Sequence, residues 1–207
     1  MTESKNETAV NQTHTESMKE RQAEHRATMK TKSKTDHGLL VVNTGEGKGK
    51  STAAFGTVIR AIGWGHTVGI VQYVKGNWKT GEKQFFAKLG DLVRYEVMGE
   101  GFTWETQDRE RDIAAAQKAW QVSLEMMQSG DYDLVMLDEL NIVLRHEYLD
   151  AAEVVTGLQS RSKRTHVIVT GRDAPEILMD AADLVTEMKK VKHPFDAGIK
   201  AARGLDF

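Results

Sequence analysis

From residue 38 onward, the chain alternates short apolar runs with longer amphipathic stretches. The apolar runs predict strands at residues 39–43, 67–74, 92–97, 134–137, 166–170 and 184–188. The amphipathic stretches predict helices at residues 50–62, 82–89, 107–129, 150–160 and 175–181. Such alternation is typical of parallel strands joined by crossover helices. We therefore expect an α/β fold with a doubly wound, mostly parallel sheet flanked by helices, and ligands at the carboxyl ends of its strands.

Residues 1–37 follow a different pattern, being polar with no proline or aromatic residue. Such a segment cannot bury enough apolar surface to fold alone. Residues 16–32 are rich in helix formers, which favours a helix that forms only when docked. A disordered tail is the alternative. We interpret residues 1–37 as a polar N-terminal extension and residues 38–207 as a single domain.

A glycine-rich turn follows the first predicted strand and leads into the first predicted helix of the domain. Glycines there let backbone N–H groups face an anion, and the helix N-terminus favours negative charge. Lys50 would add positive charge for phosphate oxygens, and the Ser51 hydroxyl would bind a phosphate-associated Mg²⁺. The strict P-loop pattern places its first glycine at position 44, where this chain has Thr44. A flexible turn is the alternative, but the strand and helix on either side favour a P-loop NTPase-like fold. The predicted phosphate-binding residues are Thr44, Gly45, Glu46, Gly47, Lys48, Gly49, Lys50, Ser51 and Thr52.

Two carboxylates, Asp138 and Glu139, end the apolar run at residues 134–137. In a P-loop protein, a strand beside the phosphate-binding strand delivers an acidic side chain to the metal. We therefore expect Glu139 and Asp138 to join Ser51 as metal ligands, with the acidic strand next to the first strand. Acids at strand ends also cap the helices that follow, and this is the competing interpretation.

Two further loops lie at the same predicted edge of the sheet. One carries Phe102 and Trp104 between glycines and the longest helix, where aromatic rings could face a flat apolar ligand. From the residues alone, packing over the core is the favoured role of these rings. The other loop carries Arg172, which could bind a triphosphate or form a surface ion pair.

Composition narrows the classes of function. Lysine and arginine total 28 against 30 acidic residues, so no overall positive field favours nucleic acid or an anionic membrane. No apolar run approaches the roughly 20 residues of a membrane span, and the N-terminus does not resemble a secretory signal. The chain has no cysteine, which excludes disulfides, thiolate zinc sites and iron–sulfur ligation. We expect a cytoplasmic enzyme.

Five segments together resemble one family far more specifically than a P-loop does. They read GLLVVNTGEGKGKSTAAFG from residue 38, GFTW from 101, LDELN from 137, VTGR from 169 and HPFDAGIKA from 193. In this order they resemble the P-loop family of ATP:corrinoid adenosyltransferases, over residues 38–207. The resemblance implies transfer of the 5′-deoxyadenosyl group of ATP to the Co(I) of a corrinoid, with release of triphosphate. The corrinoid could be cobalamin, cobinamide or cobyrinic acid a,c-diamide, in biosynthesis or salvage of adenosylcobalamin.

The resemblance also implies roles for particular residues and partners. ATP would bind residues 44–52 and Arg172 with Mg²⁺ or Mn²⁺, and Lys50 would act in catalysis. Phe102 and Trp104 would bind the lower corrin face, exclude an axial ligand and so ease reduction of Co(II). The N-terminal helix would serve as an active-site lid, the protein would be a homodimer, and a reduced flavoprotein such as flavodoxin would donate electrons.

Two other functions compete with this interpretation. Another P-loop NTPase or kinase would cleave a phosphoanhydride and release ADP, with an acid at position 138 or 139 orienting the nucleophile. A corrinoid carrier without enzymatic activity would bind the ring through Phe102 and Trp104 but would not need the phosphate and metal residues.

Overall fold

The structure is a computed structural model that describes residues 2–74, 79–98 and 108–206, with side chains from residue 13 onward. The chain divides into two compact units, Met1–Asp36 and His37–Phe207. The first unit contains one helix, α1 (Thr2–Lys30), which begins well before the predicted residue 16. Once a helix has nucleated, each further residue adds a backbone hydrogen bond at little cost, so weaker helix formers can be included.

The second unit is built on a parallel sheet. Six strands within the described residues pair in the order β3-β2-β4-β5-β1-β6, and every neighbouring pair is parallel. The strands are β1 (Leu40–Thr44), β2 (Val68–Gln72), β3 (Val93–Val97), β4 (Leu134–Asp138), β5 (His166–Thr170) and β6 (Leu184–Glu187). This arrangement confirms the predicted P-loop NTPase-like, doubly wound α/β fold. One detail matters for the site: β5 lies between β1 and β4.

Helices connect these strands close to the predicted positions. In the described residues of this unit they are α2 (Lys50–Gly63), α3 (Gly81–Phe86), α4 (Arg109–Ser129), α5 (Leu140–Arg145), α6 (Ala151–Gln159) and α7 (Glu176–Ala181). Gly130, with φ 78°, ends α4 as predicted. Pro175 is the residue before α7 rather than part of its first turn, because its backbone is extended. The sequence pattern did not predict the short helix α5. None of the helices in the described ranges is both long and apolar enough to cross a membrane.

Apolar side chains alternate between the two faces of the sheet, as the two-residue period of a strand requires. On β4, Leu134 and Met136 join a core cluster that contains residues of α2 and α3. Val135 and Leu137 join the other cluster, which contains residues of α4, α5, α6 and α7. Because both faces are covered, the central strands are apolar along most of their length and their polar residues concentrate at the carboxyl ends.

Candidate active site

The loop between β1 and α2, residues 45–49, packs against the chain that follows β6. Gly45 has φ 93°, and a Cβ built on it would lie 2.6 Å from the carbonyl oxygen of Met188. A Cβ on Gly47 would lie 2.6 Å from the same oxygen, which also accepts the Gly47 N–H at 2.6 Å. Two of the predicted glycines are therefore required by a close backbone contact, in addition to any role in facing an anion. The sequence pattern carried no signal for this contact.

Lys50 begins α2 and turns its side chain back into the loop. Its Nζ donates to the carbonyl oxygens of Gly45, at 2.8 Å, and Gly47, at 2.6 Å. Only 8% of the residue is exposed. Burial lowers the pKa of Lys50, and the negative charge of Glu139 opposes this shift. The loop thus holds a buried cation beside a carboxylate.

Other predicted charges gather around this cation. Arg172, Glu46 and Asp173 also influence the pKa of Lys50, the arginine lowering it and the two acids raising it. Arg172 Nε lies 3.7 Å from Glu46 Oε2. The structure therefore brings Lys50, Glu139, Arg172 and Glu46 together at the carboxyl edge of the sheet, where the sequence placed them.

The two acids at the end of β4 differ sharply in their surroundings. Asp138 is fully buried, and its two carboxylate oxygens accept hydrogen bonds from Thr170 Oγ1 and Gln72 Nε2, each at 2.8 Å. Glu139 has a left-handed backbone, with φ 63°, and its N–H donates to Thr170 Oγ1 at 2.9 Å. The negative charge of Glu139 opposes the lowering of the Lys50 pKa by burial.

The expectation that the acidic strand lies beside the phosphate-loop strand is wrong. β5 separates β4 from β1, and Thr170 at its end stands between Asp138 and the loop. A fully buried aspartate with both oxygens hydrogen-bonded to protein is poorly suited to bind a metal directly. Of the two acids, Glu139 is the better placed ligand.

The loop after β5 is held by residues from three different elements. Asn141 Nδ2, in α5, donates to the Gly171 carbonyl oxygen at 2.9 Å. Thr44 Oγ1, at the end of β1, accepts the Ala174 N–H at 3.1 Å. These bonds fix the ends of the segment that carries Arg172. Thr44 therefore replaces the first P-loop glycine with a side chain that positions a neighbouring loop.

The remaining predicted residues fall in three groups. Ser51 is half-buried and Thr52 exposed in the first turn of α2. Lys48 is exposed and pairs with Asp206 in the C-terminal turn. Phe102 and Trp104 lie outside the described residues.

Three further residues, Gln72, Thr170 and Asn141, belong to the site but were not predicted from the sequence. A signal for the first two was present, because each is the polar last residue of a strand and follows directly after apolar residues. Asn141 follows directly after the two acids, but its contact with Gly171 depends on α5, which was not predicted.

The parallel sheet and the lysine-bearing glycine loop between β1 and α2 define a P-loop α/β protein. The solved structure of the flagellar accessory protein FlaH from Methanocaldococcus jannaschii is similar in fold, with a TM-score of 0.50. That likeness covers 73% of this chain and 71% of FlaH at 14% sequence identity, so it supports the fold alone.

Residues 36–207 match the family model of the ATP:corrinoid adenosyltransferases BtuR/CobO/CobP, and the chain belongs to this family. A corrinoid adenosyltransferase from Pseudomonas aeruginosa is 54% identical over 172 residues, which are 83% of this chain and 85% of that protein. One from Sinorhizobium is 48% identical over 94% of this chain and 91% of its own length. The corrinoid adenosyltransferase CobA of Salmonella typhimurium is 46% identical over 172 residues, which are 83% of this chain and 87% of that protein. The predicted family is confirmed, and with it the class of corrinoid adenosyltransferase.

Proposed function

We propose that this protein transfers the 5′-deoxyadenosyl group of ATP to the Co(I) of a corrinoid and releases triphosphate. The observation that carries the proposal is the Lys50 ammonium, buried in the glycine loop with Glu139 and Arg172 among the charges that influence it. In this reaction Co(I) attacks the ribose C5′, the C5′–O bond breaks, and the oxygen departs with the triphosphate. The protein has to align these atoms and stabilise the departing charge, with no general base needed.

Lys50 supplies the positive charge that the leaving group requires. Its Nζ is already held by two loop carbonyls, so little reorganisation is needed when negative charge develops nearby. The first N–H groups of α2 add to this environment, because the first turn of a helix leaves its N–H groups without intrahelical partners. Arg172 provides a second cation beside the loop.

The Ser51 hydroxyl and the Glu139 carboxylate are suited to hold Mg²⁺ or Mn²⁺. Both offer hard oxygen ligands, and Mg²⁺ commonly takes one or two carboxylates together with substrate phosphates. When bound, the metal ion would neutralise charge on the triphosphate. Glu139 would then act on both the metal and Lys50, where its negative charge opposes the lowering of the lysine pKa by burial.

The finer features of the reaction are proposed from the family resemblance. Phe102 and Trp104 would exclude the lower axial ligand of Co(II), which makes reduction to Co(I) easier. A reduced flavoprotein would supply the electron in the cytoplasm, and the enzyme would act as a homodimer. The lid role of the N-terminal helix stays a prediction.

Product analysis tests the proposed reaction. The protein is incubated with ATP, Mg²⁺ and chemically reduced cobalamin, and the nucleotide and phosphate products are separated by chromatography while the corrinoid spectrum is recorded. Triphosphate formed in equal amount to adenosylcobalamin supports the proposal. ADP would instead indicate a phosphoanhydride-cleaving NTPase or kinase, and corrinoid binding without turnover would indicate a carrier.

A lysine variant tests the assigned role of the loop. Lys50→Ala should lower the turnover number by at least about 100-fold, the effect of removing one preorganised charge-stabilising group. Arg60→Ala is the matched control, since Arg60 is an exposed cation in the last turn of the same helix. Corrinoid affinity should be unchanged in both variants. Near-normal turnover of Lys50→Ala at saturating ATP would reject the assignment.

A further inference from the structure

A chain of hydrogen bonds runs across four adjacent strands beneath the proposed metal site. Tyr95 Oη, on β3, donates to Gln72 Oε1 at 3.4 Å. Gln72 Nε2, at the end of β2, donates to Asp138 Oδ2 at 2.8 Å. From β5, Thr170 Oγ1 donates to Asp138 Oδ1 at 2.8 Å and accepts the Glu139 N–H at 2.9 Å. The chain therefore ends on the backbone of Glu139, the acid whose charge acts on Lys50.

The three central side chains of this chain are deeply buried. Gln72 is 3% exposed, and Asp138 and Thr170 are 0% exposed. Gln72 and Asp138 are paired in register, so their side chains project from the same face of the sheet. Ile70 and Met136, two residues earlier on the same strands, belong to the cluster that packs against α2, which shows that this is the face covered by α2.

The direction of each bond follows from the chemistry of Asp138. The two Asp138 oxygens accept hydrogen bonds from Gln72 and Thr170, so the single proton of the Thr170 hydroxyl points toward Asp138. The remaining lone pairs of that hydroxyl are then directed to the Glu139 N–H. By accepting the hydrogen bond of the hydroxyl, Asp138 leaves the Thr170 oxygen free to accept the hydrogen bond from the Glu139 N–H. Asp138 does this from its buried position, without binding the metal itself.

Glu139 needs such a restraint because its backbone is in the left-handed region, with φ 63°. A residue with a side chain rarely adopts this conformation unless its surroundings impose it. The bond to Thr170 holds the N–H of Glu139 at the start of α5, and so sets where its carboxylate emerges relative to Lys50.

We infer that Asp138 and Thr170 are positioning residues that hold Glu139 in its metal-binding orientation, and that Asp138 is not itself a metal ligand. This inference rests on the proposed metal-assisted triphosphate site. It extends the site inward to the hydrogen-bonded chain that begins at Tyr95 on β3.

Binding of Mn²⁺ in the presence of ATP, without corrinoid, tests the inference apart from turnover. Free Mn²⁺ is measured by electron paramagnetic resonance as metal is titrated into the full-length protein with ATP and, for comparison, into the same ATP alone, because ATP in solution also binds Mn²⁺. Thr170→Val keeps the shape of the side chain but removes its hydroxyl, and should raise the Mn²⁺ dissociation constant by about 10- to 100-fold, as loss of a partner of a metal ligand usually does. Thr170→Ser keeps the hydroxyl and should bind Mn²⁺ like the parent protein.

A second buried threonine provides the matched control. Thr165 is also 0% exposed, and its hydroxyl donates to the Tyr132 carbonyl oxygen at 2.7 Å, just before β5 begins at the opposite edge of the sheet. Thr165→Val removes a comparable hydrogen bond and should leave Mn²⁺ binding unchanged. Circular dichroism establishes that each variant is folded. Asp138→Leu, which has a side chain of similar size but cannot accept a hydrogen bond from Thr170, should weaken Mn²⁺ binding like Thr170→Val and serves as the test if the valine variant does not fold.

The outcomes separate this inference from the proposed reaction. A folded Thr170→Val or Asp138→Leu that binds Mn²⁺ as tightly as the parent overturns the inference, as does an equal loss in Thr165→Val. A parent protein that binds no Mn²⁺ with ATP also overturns it. Release of ADP by a parent that does bind Mn²⁺ would refute adenosyl transfer alone and leave the positioning role of Thr170 standing.

Discussion

Replacing Gly45 by alanine should damage the phosphate loop through two independent effects. The residue has φ 93°, and a left-handed conformation costs a residue with a side chain about 1–2 kcal/mol. The added methyl would also lie 2.6 Å from the Met188 carbonyl oxygen and 2.8 Å from the Met188 nitrogen. Relief of such overpacking costs typically about 1–3 kcal/mol. Because both neighbours are backbone atoms, they cannot move aside as the end of a side chain can.

The net effect also includes the unfolded chain. Alanine restricts the unfolded state and so offsets about 0.4–1 kcal/mol of the cost. The free energy of unfolding should therefore fall by roughly 1–4.5 kcal/mol, combining these terms. Nucleotide affinity should fall as well, since any relief of the contact moves the carbonyl that holds Lys50.

Urea denaturation followed by circular dichroism measures the first effect, and calorimetric titration with Mg²⁺ and ATP measures the second. Gly56→Ala is the matched control, because Gly56 lies inside α2 and an added Cβ would meet no atom within 4 Å. Alanine in a helix interior is favoured over glycine, so this variant should gain about 0.5–1 kcal/mol. Equal stability and ATP affinity of Gly45→Ala and the parent would refute the reasoning from the close contact.

Two further predictions concern reduction of the corrinoid and acid stability. Replacing Phe102 and Trp104 together by alanine should abolish adenosylation when a reduced flavoprotein must generate Co(I), but spare much of the rate when Co(I) is supplied chemically, since the leaving-group site is untouched. An equal loss with both reductants in a folded variant would contradict the reduction role. Burial alone would raise the pKa of Asp133, but hydrogen bonds from Arg164 and Thr67 outweigh it and lower the pKa to about 2. With an unfolded pKa of about 3.9, this carboxylate stabilises the fold above about pH 4 and loses that contribution as the pH falls toward 2. Asp133→Asn should therefore show a shallower decline of the urea midpoint over that range, and identical pH profiles would refute the assignment.

Local sequence determined the elements and the chemistry of the phosphate loop. Hydrophobic periodicity placed the six strands within a few residues of their observed bounds, because strands of a parallel sheet read as short apolar runs between amphipathic helices. The order strand, glycine turn, lysine and helix was enough to predict the position of Lys50, since these residues are adjacent in the chain. The five segments in their order also predicted the family, which the family match to residues 36–207 confirmed.

Pairing between strands that are far apart in the sequence decided the arrangement of the site, which the sequence pattern did not predict. The position of β5 between β1 and β4 depends on which strands pair, and no local pattern encodes that order. The same order places Thr170 against Asp138 and leaves Glu139 to face Lys50, although the two acids are neighbours in the chain. The close contact of the glycine loop with Met188 likewise joins residues some 140 positions apart. The sequence thus determined which groups are present at the carboxyl edge, while tertiary packing decided which of them meet, because hydrogen bonds and charges act between neighbours in space.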